Sequence, residues 1–105
     1  MATYNVGKAK HATLAASTVD TVVLSGCHAG ILRVRNRATS GDPIYFRVYD
    51  ESEPTKTSPT VAGDNTYVVP FSDLTDIVWP GGVAHVLLIS ASTQSYSVES
   101  IAGLN

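Results

Sequence analysis

A chain of 105 residues makes one domain, and with 44% hydrophobic and 15% charged residues it can bury a modest core without metal or disulfide help. The formal net charge of −2 argues against a dedicated nucleic-acid or membrane binder. The single cysteine, Cys27, excludes an internal disulfide and any multi-thiolate metal cage.

The charge is distributed unevenly. Residues 1–49 hold six basic groups and two acids, +4, whereas residues 50–105 hold one lysine and seven acids, −6. Such polarity pairs strands within one fold, or one subunit with the next. No apolar run reaches the roughly 18 residues of a membrane span. Met1 to Lys10 lacks the charged segment and apolar core of a secretory signal, so folding in a cytosol is expected.

In chain order, residues 1–10 read as an extended arm able to dock on a neighbour, and residues 11–105 as the folded domain. No stretch of about 11 residues carries helical spacing; period-2 stretches recur instead. A weaker strand covers Ala9 to Ala15. Val19 to Leu24 is rich in β-branched residues. From Ile31 to Arg37 the chain alternates, with Leu32 and Val34 pointing one way and the arginines the other. Ile44, Phe46 and Val48 share one face of the next strand, after the breaker Ser40-Gly41-Asp42-Pro43. Asp50 to Thr60 is polar, broken twice by proline and long for a hairpin loop: a mobile tip or a contact loop.

Ala62-Gly63-Asp64-Asn65 then turns the chain into a short strand, Thr66 to Val69, stopped by Pro70. Thr75 to Trp79 is a second weak strand, ended by Pro80-Gly81-Gly82. Val83 to Ser90 is nearly continuous in apolar character, as a central strand buried on both faces requires. Tyr96 to Glu99 closes the set. About eight short strands at about 8–12-residue spacing predict an all-β, single-domain antiparallel β-sandwich, jelly-roll or Ig-like.

Side chains that carry chemistry are scattered. His11, His28 and His85 have no close partner of the kind a zinc site shows. Cys27 and His28 are adjacent, so on an extended chain they point to opposite faces and cannot act as nucleophile and base. A buried, inert thiol is expected. Asp64, Asp73 and Asp76 lack the alternating spacing of a calcium loop. No enzyme activity, cofactor or metal is expected.

Arg33, Arg35 and Arg37 form a basic stripe spanning about 13 Å along one strand face. They pair with acids across strands or with an acidic patch on a partner protein. No aromatic side chains interleave with them to suggest nucleic acid.

Several phrases occur together: Asn36 through Val48 (NRATSGDPIYFRV), Pro59 through Pro70 (PTVAGDNTYVVP), Leu87 through Ala91 (LLISA), and Tyr96 through Glu99 (YSVE). In this order the chain resembles the small β-sandwich virion proteins of tailed phages, especially those of actinobacterial hosts. Those proteins often carry Asp-Gly-Thr after the strand matching Ile44 to Val48; here Asp50 through Ser58 stands instead.

The resemblance implies a head decoration or minor capsid protein, made in the host cytoplasm and located on the virion head. Its partner would be the major capsid protein and its assembly a homotrimer, with neither nucleic acid nor membrane as a partner. The expected contacts are the arm, through Met1, Ala2, Thr3, Tyr4, Asn5, Val6, Lys8 and Lys10, and the stripe of Arg33, Arg35 and Arg37. A tail or head–tail connector protein is the alternative within the virion. A module for host-surface sugar is the alternative from another class, using exposed aromatics among Tyr45, Tyr49, Tyr67, Trp79 and Tyr96, although packing is the commoner role of such rings.

Overall fold

A computed structural model describes residues 2–102. They form nine strands: β1 (Ala2–Val6), β2 (Ala9–Leu14), β3 (Asp20–Leu24), β4 (Gly30–Asn36), β5 (Ile44–Asp50), β6 (Tyr67–Val69), β7 (Asp73–Trp79), β8 (Ala84–Ser90) and β9 (Gln94–Ala102). One sheet runs β1-β3-β8-β5-β6 and the other β2-β9-β4-β7. The protein is an all-β sandwich, as its alternation predicts.

The order of the pairs decides between the two expected topologies. Counting inward from the ends, β2 pairs with β9, β3 with β8, β4 with β7 and β5 with β6, all antiparallel. Successive pairs fall in alternate sheets. That is one long hairpin rolled around a core, the eight-stranded jelly roll. The pairs β4–β9 and β5–β8 then zip the rolled layers side by side.

Period-2 sequence places the core between the sheets. Asp20, Val22 and Leu24 of β3 point inward, as do Leu32, Val34 and Asn36 of β4. Ile44 and Phe46 of β5 meet Val86 and Leu88 of β8 in the same fully buried layer. Tyr96 and Val98 of β9 complete it from the opposite sheet. The outward side chains Leu87 and Ile89 of β8 are also buried, as the unbroken apolar run predicts.

The segment expected as an extended arm docking on a neighbour pairs within its own sandwich as a strand. Ala2 to Val6 pair in parallel with Asp20 to Leu24 and form the sheet edge. Their alternation is complete, with Ala2, Tyr4 and Val6 half-buried and Thr3 and Asn5 exposed. Tyr4 and Val6 pack against the core. Gly7 and Lys8 carry the chain from one sheet to the other: Gly26 N donates to the Gly7 carbonyl (2.9 Å), and Ser100 N to that of Lys8 (2.7 Å). A boundary at residue 10 would cut β2. The strand is hard to see in sequence because only two of its five residues are large and apolar.

Asp50 to Thr66 is pinned along its length. Glu53 N donates to the Asp50 carbonyl, and Lys56 Nζ donates to the Glu51 and Glu53 carbonyls. Tyr49 Oη donates to the Thr57 carbonyl (3.2 Å), and Arg47 Nη2 to that of Asp64 (2.9 Å). Pro59 is buried. At the opposite end of β5, Gly41 takes a φ of +107°. A Cβ there would strike the Gln94 amide, so glycine is required at this turn.

Candidate functional site

The stripe of arginines lies on the outer face of the β2-β9-β4-β7 sheet. On β4, Arg33 stands directly between Glu99 of β9 and Asp76 of β7. Its Nε and Nη2 donate to the two carboxylate oxygens of Asp76 at 2.7 and 2.8 Å, a bidentate pair. Hydrogen bonding to Arg33 holds the Asp76 carboxyl below the usual carboxylate range, and the same bond raises Arg33. Arg35 lies between Ser97 and Leu74 and reaches diagonally to Glu99, its Nε donating at 3.3 Å.

Arg37 differs from both. It lies just beyond β4, where its backbone N donates to the Ser95 carbonyl (2.8 Å). Its side chain is exposed and makes no ion pair or hydrogen bond among the described residues. With Arg35, Asn36, Ser72, Asp73 and Leu74 it lines an open hollow of about 390 Å³. The sheet therefore partners two of the three arginines internally and leaves the third to solvent.

A second row, one pleat further along the face, is apolar. Ile101, Ile31 and Val78 stand side by side on β9, β4 and β7. Val78 is 87% exposed. The outer face of a sandwich sheet is ordinarily polar, so three aliphatic side chains abreast beside a row of paired charges form a surface suited to protein contact. The sequence held a signal for this row: Ile31 has the same parity as Arg33 and Arg35.

The remaining expected contact residues are dispersed. Met1 lies outside the described residues. Ala2, Thr3, Tyr4, Asn5 and Val6 belong to β1, and Lys8 sits at the sheet-to-sheet corner. Lys10, on β2, places its ammonium 4.3 Å from the Tyr4 ring centre. That cation–π contact ties the two edge strands across the sandwich.

The histidines do not converge. His11, on the outer face of one sheet, contacts Ser97 Oγ through Nδ1 at 2.6 Å. His85 is on the outer face of the other, its Nε2 3.2 Å from a Glu51 carboxylate oxygen but outside hydrogen-bond geometry. His28 is exposed. Among the described residues no three His, Cys, Asp or Glu side chains are grouped to hold a metal ion. Cys27 is buried and its thiol faces the Leu24 carbonyl at 3.7 Å. Trp79 packs against the core, and its indole N–H donates to the Gly82 carbonyl (3.1 Å).

Comparison of the chain with protein-family models, curated proteins and solved structures yields no match.

Proposed function

We propose that this protein is a structural component of a phage virion, a head decoration or minor capsid protein that binds the major capsid protein and stabilises the shell. The observation that carries the reading is the aliphatic row Ile101–Ile31–Val78, in which Val78 is exposed and the two isoleucines are half-buried, beside the charged row Glu99–Arg33–Asp76. A folded jelly roll with an apolar strip on one flat outer face works by sticking to another protein surface. The paired charges at its flank give that contact a polar rim without burying an unpaired ion. Arg37, projecting free at the end of the same face, supplies one unmatched positive charge for an acidic partner.

Two further considerations support a virion role. The sequence phrases resemble tailed-phage virion proteins, and jelly rolls recur in viral capsids, an analogy at the level of the fold. Assembly as a homotrimer on a symmetric shell would multiply a modest contact into stable attachment.

The test is cryo-electron microscopy of phage particles made with and without this protein. Difference density at symmetric positions over the head is expected. Density as a single ring at one vertex would move the protein to the connector, and the absence of any difference density would overturn the virion role. Particles supplied with the Val78→Asp variant should lack the density although that variant folds.

A further inference from the structure

The other sheet carries a second feature, at the place where β5 outruns its short neighbour β6. β6 pairs only with Ile44 to Phe46, so Arg47 to Tyr49 extend beyond it. There Arg47, Val48, Tyr49, Asn65 and Tyr67 line an open hollow of about 260 Å³. Its back wall is aromatic and rigid. The Tyr67 ring stacks on the fully buried Phe46, with centres 5.1 Å apart and planes 26° from parallel, yet Tyr67 remains 48% exposed. One side of the ring is held by the core while the residue keeps substantial surface for a ligand.

Polar groups line the same hollow. Tyr49 Oη accepts from Arg47 Nη1 (3.2 Å) while donating to the Thr57 carbonyl, which leaves it one lone pair. The Asn65 side chain has no hydrogen-bond partner among the described residues, although its backbone is held at a φ of +59°. Arg47 binds the Asp64 carbonyl on one side of it, and Thr66 Oγ1 donates to Gly63 on the other (2.8 Å). The Arg47 Nε is buried with no partner. An aromatic ring, an uncommitted amide and a hydroxyl lining one hollow match the two faces of a sugar ring: C–H groups against the aromatic ring, hydroxyls towards the amide and phenol.

We propose that this hollow is a carbohydrate subsite that takes a single neutral pyranose ring, with Tyr67 as the platform and Asn65 and Tyr49 as the hydroxyl-binding groups. The volume falls below the roughly 300–1,000 Å³ of pockets that enclose drug-sized ligands, so one ring is held and the rest of a glycan stays in solvent. Weak binding follows from that size, with dissociation constants on the order of 1 mM. The site lies on the sheet opposite the docking face, so a shell-bound copy keeps it free, and its existence does not rest on the virion role.

The test is a nitrogen-15 NMR titration of the full chain with cellohexaose, maltohexaose, xylohexaose and laminarihexaose, each to about 5 mM. At least one probe should produce saturable shifts centred on Arg47, Tyr49, Asn65 and Tyr67. Tyr67→Ala should weaken that binding about tenfold or more. Asn65→Gly keeps the positive φ while deleting the amide, so it tests the site without disturbing the stack; it should weaken binding several-fold. Trp79→Ala should leave it unchanged. The absence of saturable shifts with all four probes, or saturable binding that both Tyr67→Ala and Asn65→Gly leave intact, would overturn the proposal.

Discussion

The Tyr96 hydroxyl, on β9, donates a hydrogen bond of 3.0 Å to the Asp20 carboxylate on β3, so one polar bond crosses the apolar core from sheet to sheet. Tyr96 is fully buried and Asp20 is 4% exposed. Neither group has water to fall back on. Tyr96→Phe leaves a buried carboxylate without its donor and should cost about 1–3 kcal/mol in chemical denaturation.

The same pair sets an alkaline limit. Burial, and then the neighbouring Asp20 charge, hold the Tyr96 phenol far above its ordinary value. In the unfolded chain a tyrosine ionises near pH 10, so above that pH the unfolded state releases a proton that the folded state keeps. Stability is constant with respect to this group below about pH 10 and falls above it, by about 1.4 kcal/mol per pH unit. Denaturation curves at rising pH should show that slope in the native protein and lack it in Tyr96→Phe.

Asp76 gives the opposite sign at the acid end. Its carboxyl is held below the usual range by the bond from Arg33, so its contribution is present above the unfolded carboxylate pKa and lost as pH falls through the folded one. Asp76→Asn should lower stability at neutral pH and flatten the acid limb of a stability–pH profile. Raised salt should shrink the difference between the two proteins, because the pair is partly solvent-exposed.

Asn36 satisfies three backbone groups from a buried position. Its Nδ2 donates to the Asp42 and Val69 carbonyls, both at 3.3 Å, and its Oδ1 accepts from Ala38 N at 3.2 Å. These bonds join the end of β4 to β6 and to the following turn. Asn36→Ala should destabilise by about 1–3 kcal/mol. Asn36→Asp should cost more, since it removes both donors and places a charge against two carbonyls. Thermal unfolding monitored by circular dichroism checks both.

Removal of residues 1–7 strips β1 from β3. The half-buried Tyr4 and Val6 side chains are lost, and the β3 edge is opened. A stability loss on the order of 2 kcal/mol is expected, together with concentration-dependent self-association through the exposed edge. Denaturation and light scattering measure the two effects.

Val78→Asp separates surface from core. At 87% exposure the side chain contributes almost nothing to folding, so stability should stay within about 0.5 kcal/mol of the native protein. Attachment to particles, measured by co-sedimentation, should be lost.

Local alternation determined most of the strands and their faces. In Ile31 to Arg37 and Ile44 to Tyr49 each side chain's side of the sheet follows from parity, and the apolar run Val83 to Ser90 marks a strand covered on both faces. These are properties of neighbours in sequence, and the two-residue period of a strand makes them readable. Pairing is different, because it joins residues far apart in the chain. Only the folded structure decided that β2 meets β9 and β5 meets β6, which makes the sandwich a jelly roll, and that the first strand closes on β3. It also decided that Asp76 and Glu99 partner Arg33 and Arg35 while Arg37 stays free, and that Val78 joins Ile31 and Ile101 in one row. The cause is shared: which side chains lie opposite one another depends on register between strands, and register is set by the packing of the whole core.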